Sequence, residues 1–168
     1  SILEGGSVTL MGSGSDPNGD PLTFAWDLDN NGTFETLGQS VTFSAASLDG
    51  PSSHTIAMQV TDSGGLSATD RATVEVLNVA PTATLSTNGL VNEGSSISLS
   101  LTNPYDPSSA DVAVGFTYAF DCGDGSGYGP FEASNSASCP TTDNDVRTVG
   151  GRIHDKDGGE SEYTATAT

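Results

Sequence analysis

The chain of 168 residues carries 22 Asp plus Glu against 4 Lys plus Arg, a formal net charge of −18, and its pI is near 4.1. Such a balance repels phosphates and anionic lipid, which excludes a general nucleic-acid or acidic-membrane binder. No run of about 18 apolar residues exists, so no membrane insertion is expected. The chain opens directly on Ser1-Ile2-Leu3-Glu4 and stops in an alternating run, Tyr163 to Thr168, which reads as a section of a longer polypeptide.

Taken in chain order, the apolar residues recur with a period of two, the signature of half-buried strands. Val8 and Leu10 begin it, followed by Leu22, Phe24, Trp26 and Leu28, then Val41 and Phe43. Ile56, Met58 and Val60 come next, then Ala72, Val74 and Val76. The same order returns as Ile97, Leu99 and Leu101; Phe116, Tyr118 and Phe120; Val149 and Ile153; Tyr163, Ala165 and Ala167. No stretch places apolar residues at helical spacing. Gly (21) and Pro (8) punctuate the runs, so the class is all-β, with about seven short strands per copy packed as an antiparallel sandwich.

An internal repeat sets the organisation. Phe24-Ala25-Trp26-Asp27 returns as Tyr118-Ala119-Phe120-Asp121, Leu3-Glu4-Gly5 as Asn92-Glu93-Gly94, and Val60-Thr61-Asp62 as Ile153-His154-Asp155. Two tandem domains are therefore predicted, residues 1–78 and 79–168, the first reading as truncated at its N-terminus. The joint Leu77-Asn78-Val79-Ala80-Pro81 is too short and apolar for a flexible tether.

Asp16-Pro17-Asn18-Gly19-Asp20-Pro21-Leu22-Thr23-Phe24-Ala25-Trp26-Asp27 resembles the opening of a polycystic-kidney-disease-type (PKD) repeat. Phe120-Asp121-Cys122-Gly123-Asp124-Gly125 is similar to that family's W-D-F-G-D-G signature, with Phe for Trp. Asp29-Asn30-Asn31 departs from it in the first copy, and Asp106-Pro107-Ser108-Ser109-Ala110-Asp111 lacks the tidy first-copy loop in the second. The resemblance covers both copies. It implies an immunoglobulin-like sandwich, found in strings on secreted and cell-surface bacterial or archaeal proteins, serving as spacer, adhesion module or hydrolase appendage, sometimes with bound calcium.

Carboxylates dominate the candidate chemistry. Asp27, Asp29, Asn31, Thr33 and Glu35 place oxygens at alternate positions with Gly32 at the sixth, the logic of an oxygen cage for Ca²⁺. The competing reading is a hairpin turn in which Asp27 and Asn31 bond local backbone. A second candidate set is Asp16, Asn18 and Asp20, completed by Glu4 or Asp62; the alternative is a type I turn. A third, between the domains, would combine Asn78 with Asp106 or Asp111. Cys122 and Cys139 fall in one copy at a loop-closing spacing, which predicts a disulfide and an oxidising compartment, the alternative being two buried thiols. Trp26 is expected in the core, and Tyr105, Tyr128 and Phe131 are the better candidates for ligand contact.

No nucleophile and base stand in a recognisable pattern, so no enzyme is expected. The function predicted is an extracellular, calcium-stiffened spacer or adhesion repeat whose partners are neighbouring repeats of its own chain and a surface glycan or protein. The alternatives are a carbohydrate- or protein-binding module of a secreted hydrolase, or a subunit of a self-assembling surface filament.

Overall fold

The computed structural model describes residues 1–143 and 146–168. The chain forms two compact units, Ser1–Asn78 (unit 1) and Val79–Thr168 (unit 2). Each is an immunoglobulin-like β-sandwich.

Unit 1 contains β1 (Ile2–Leu3), β2 (Ser7–Met11), β3 (Thr23–Asp27), β4 (Thr36–Leu37), β5 (Ser40–Ser44), β6 (Ser52–Thr61) and β7 (Ser67–Leu77). One sheet has the order β1-β7-β6-β3-β4, and the facing layer is the pair β2-β5. All pairings are antiparallel except β1 with β7, where Ile2 lies opposite Val76 and Leu3 opposite Leu77. That parallel contact lets the chain cross from one sheet to the other within Glu4-Gly5-Gly6, with Gly5 at φ 72° making the turn.

The predicted alternation fills the core of unit 1. Trp26, Val41, Phe43, Ile56 and Val74 are buried, with Ile2, Val8, Leu10, Leu28, Leu48 and Met58 packed against them. Each such side chain contributes about 1.5–3 kcal/mol on burial. The Trp26 indole N–H donates to Gly38 O at 2.9 Å, which satisfies its one polar atom inside the core.

Unit 2 contains β8 (Thr82–Thr87), β9 (Ser96–Tyr105), the helix α1 (Ser109–Val114), β10 (Thr117–Asp121), β11 (Ser136–Pro140), β12 (Arg147–His154) and β13 (Glu160–Ala167). Its layers are β10-β12-β13 and β11-β9-β8. Leu101, Ile153 and Val149 are fully buried at 0% exposure. The helix was not expected. Six residues are too few to show a period, and α1 forms because Ser108 caps it, its hydroxyl oxygen accepting from Ala110 N and Asp111 N at 3.2 and 3.3 Å. No described helix is long and apolar enough to cross a membrane.

Cys122 and Cys139 are joined in a disulfide, with a Cα–Cα distance of 5.4 Å. Cys122 directly follows β10 and Cys139 lies in β11, so the bridge ties the two layers of unit 2 together. By register, Cys139 opposes Ile97 as Phe43 opposes Val8, so unit 1 has Phe43 and Leu28 at the equivalent places. Where unit 1 closes its sandwich with an apolar contact, unit 2 uses a covalent one.

Candidate functional site

The loop after β3 gathers the first predicted cation set. Asp27 ends β3 and is 1% exposed, although the alternation placed it on the polar face. It is buried because the following loop folds back over it: Oδ1 accepts from Asn31 N at 3.0 Å and Oδ2 from Gly32 N at 2.9 Å. Burial pushes the Asp27 carboxyl up, but the backbone N–H groups of Gly32 and Asn31, together with Asp29 and Asn30, outweigh it and hold the group below the usual carboxylate range. Gly32 and Asn30 make the loop possible by adopting φ 91° and 58°. Arg71 of β7 donates from Nη1 to Asn30 Oδ1 at 2.6 Å and fastens the loop to the sheet.

Around this centre, Asp27, Asp29 and Glu35 each bring a carboxylate oxygen within 4.8 Å of the others. The Asn31 side-chain amide sits among them, donating to Asp29 Oδ2 at 3.0 Å and to Glu35 Oε1 at 2.9 Å. The Thr33 hydroxyl lies 2.6 Å from Glu35 Oε1 and also contacts Asn31 Oδ1. The Thr33 hydroxyl and then the Asn31 amide lower the Glu35 carboxyl below its usual value. All five residues singled out from the sequence thus converge. The arrangement satisfies the hairpin reading in full, and it also presents a cation with three carboxylates, an amide and a hydroxyl.

At the far end of unit 1, Asp16, Asp20 and Asp62 bring their carboxylates within 4.8 Å of one another. Asp16 Oδ1 accepts from Asn18 N at 2.7 Å and Asp20 N at 3.1 Å, which makes the Asx turn. Asp62 Oδ1 accepts from Leu66 N at 2.8 Å and closes the β6–β7 hairpin. Glu4 does not join this set. Its backbone N bonds Leu77 O at the opposite end of β7, about 30 Å along the strand, and its Oε2 accepts from Gly50 N at 2.7 Å.

In unit 2, Asp106 and Asp111 approach within 4.8 Å at the start of α1. Asp106 Oδ1 accepts from Ser108 N at 2.7 Å, and Lys156 Nζ lies 3.4 Å from Asp111 Oδ1. Asp155 shapes the β12–β13 turn by accepting from Asp157 N and Gly159 N, each at 2.8 Å.

Of the three aromatics singled out for ligand contact, Tyr128 and Phe131 are engaged within unit 2. Arg152 lies 4.1 Å over the Tyr128 ring, whose hydroxyl is 3.2 Å from Glu162 Oε1. Phe131 packs against His154 with centroids 4.9 Å apart. Tyr105 alone of the three is largely exposed, at 64%.

One pair escaped the sequence reading: Ser52 Oγ and His54 Nε2, 3.0 Å apart. Residues two apart on a strand share a face, so Ser-x-His within a strand run was the available signal. The Ser52 hydroxyl also contacts Asp49 O, and the imidazole tautomer decides which of Ser52 Oγ and His54 Nε2 donates to the other.

Residues 1–76 match the family model described as Bacterial Ig domain. No curated protein matches the chain in sequence. Among solved structures, extracellular domains 3–5 of Drosophila OTK are similar at 13% identity and a TM-score of 0.50, covering 100% of this chain and 58% of that one. The amphioxus IgVJ-C2 molecule is similar at 12% identity and TM-score 0.45, covering 100% and 99%. The fibronectin(III)-like modules of Clostridium thermocellum CbhA follow at 12% and 0.42, covering 99% and 86%. The chain spans less than two thirds of the OTK chain it matches, and at 13% identity that likeness shows the fold alone. The class is settled at that level: an immunoglobulin-like repeat.

Proposed function

We propose that the chain is a non-catalytic pair of extracellular repeats of PKD type, a spacer or adhesion segment stiffened by Ca²⁺ bound in the first unit. The observation that carries this reading is the convergence of Asp27, Asp29, Asn31, Thr33 and Glu35 in one loop on an immunoglobulin-like scaffold. Ca²⁺ takes six to eight hard oxygens, and rotation of the Asn31 amide would turn its Oδ1 toward the three carboxylates. The disulfide, the acidic surface and the Bacterial Ig domain match support an extracellular setting.

Trp26 is the only Trp and lies in the core of unit 1, so its fluorescence follows that unit alone. Millimolar Ca²⁺ is expected to raise the Trp26-detected melting midpoint; a ligand at ten times its Kd adds about 1.4 kcal/mol. Asp27→Asn with Asp29→Asn is expected to abolish the shift. A calcium response unchanged in that double variant would remove the loop from the account.

A further inference from the structure

The layer β2-β5 of unit 1 corresponds to β9-β11 of unit 2 but lacks that layer's third strand. In unit 2, β8 pairs antiparallel with β9 as the third strand of its layer. Its Ala83 and Leu85 pack on Leu101, Tyr118 and Ile153, and Ala83 N donates to the Tyr163 hydroxyl oxygen at 3.0 Å. In unit 1 the same layer has only β2 and β5 among the described residues. Beside it, β7 meets β1 at Val76 and Leu77 only, and Ser67–Thr73 are exposed on both faces.

A groove lies where the counterpart of β8 would run. It consists of two adjoining hollows of about 370 and 200 Å³ that share Ser13, Met58 and Asp70. Its floor is apolar, formed by Leu22, Met58 and Val60 in the larger hollow and by Trp26 and Ile56 in the smaller. The repeat places Val60 at the position of Ile153 and Met58 at that of Gly151. Ile153 is 0% exposed beneath β8, whereas Met58 and Val60 are only half-buried.

We propose that this groove is an acceptor for one further strand: an extended, uncharged segment of alternating small-polar and apolar residues, antiparallel to β2 and joined ahead of Ser1. Three observations fix that occupant. In unit 2 the strand leads through Asn88–Leu90 to Val91, whose N donates to Thr168 O at the end of the facing sheet. By the repeat, Ile2 is the counterpart of Val91, and it pairs at the end of β7, so a strand joined ahead of Ser1 enters unit 1 as β8 enters unit 2. The rim carries Asp16, Asp62 and Asp70 against the single cation Arg71, whose guanidinium is bonded to Asn30, which disfavours an acidic strand and accepts one without charge, as Thr82–Thr87 is. Asp70 pairs with Met58 as Tyr163 pairs with Gly151, so Asp70 holds the strand position of the residue that receives Ala83 N–H and sets an acceptor, on a shorter side chain, beside the groove. The floor differs in relief, and Met58 can rearrange under an incoming side chain where a branched residue could not. Main-chain pairing along β2 would supply affinity and the alternate pockets would supply register.

The test joins a copy of Pro81–Gly89 directly ahead of Ser1 in the full chain, beside a control with nine Gly and Ser residues there. The copy is expected to raise the Trp26-detected melting midpoint by about 10 °C and to slow exchange of the β2 amides that face away from β5 by about tenfold or more. Asp70→Ala in the extended chain is expected to forfeit part of both gains. Equal midpoints and exchange rates for the copy and the Gly/Ser control overturn the proposal. The parent chain provides a reading that needs no variant: its outward β2 amides should exchange fast while those of β9 are slow, and equal protection of the two strands contradicts an open acceptor edge.

Discussion

Loss of the Cys122–Cys139 bridge should destabilise unit 2 and leave unit 1 untouched. The bridge closes a loop with a sequence separation of 17 and joins β10's end to β11 across the sandwich. In the chain-entropy model a loop of that size is worth about 3 kcal/mol. For a unit of about 90 residues each kcal/mol moves the midpoint by roughly 4–8 °C, so Cys122→Ala with Cys139→Ala should lower it by about 12–24 °C. Cys139 is 0% exposed among Ile97, Leu99, Val149 and Ala167, so the vacated sulfur volume adds to the loss. The chain supplies its own reporters. Trp26 reads unit 1, while all four Tyr residues, Tyr105, Tyr118, Tyr128 and Tyr163, lie in unit 2. Near-UV circular dichroism of tyrosine should shift, and Trp26 fluorescence should not. A tyrosine shift below about 4 °C, or an equal movement of both signals, would show that the bridge does not act within unit 2.

The depressed carboxyls of Asp27 and Glu35 make unit 1 pH-sensitive in a defined direction. A folded-state value below the unfolded one contributes stability above pH about 4 and loses it as pH falls through the lower folded value. The Trp26-detected urea midpoint should therefore drop between pH about 5 and about 3, and drop less in Asp27→Asn with Glu35→Gln. A slope unaltered by that pair of substitutions contradicts the assignment. Leu101→Ala, at a site with 0% exposure, should cost about 2–5 kcal/mol in the tyrosine-detected transition. A loss below about 1 kcal/mol would show that β8 and β12 can close over the vacancy.

Much of the fold is written in the period-two runs. Trp26, Ile56, Val74, Ile97, Leu99, Leu101 and Ile153 all face the cores that alternation assigned them. Alternation could not assign Asp27, because its burial comes from a loop folding back to donate two N–H groups rather than from the strand's own pattern. The parallel β1 was hidden for a similar reason: two residues carry no period, and their direction depends on the turn at Gly5. A further part was written across the two copies. At the place where unit 2 has Leu101 against Gly151, unit 1 has Gly12 against Met58. A Cβ on Gly151 would lie 3.2 Å from Leu101 Cγ, and one on Gly12 would lie 2.3 Å from Met58 Sδ. Large and small have exchanged sides while the layer spacing is kept, so a position-by-position match of the repeat conceals a conserved sum of volumes. The candidate cation loop was legible because its oxygens alternate within nine residues. The distant partner Glu4 was misplaced because a sequence does not show which end of a long strand a residue meets.

Equilibrium dialysis of the full chain against radioactive calcium reads the proposed site itself. A saturable site in unit 1 is expected, with a Kd of about 10⁻⁴–10⁻³ M, the range of extracellular modules, and it should be lost in Asp27→Asn with Asp29→Asn. Binding that rises linearly without saturation, or an isotherm identical in the double variant, would contradict it.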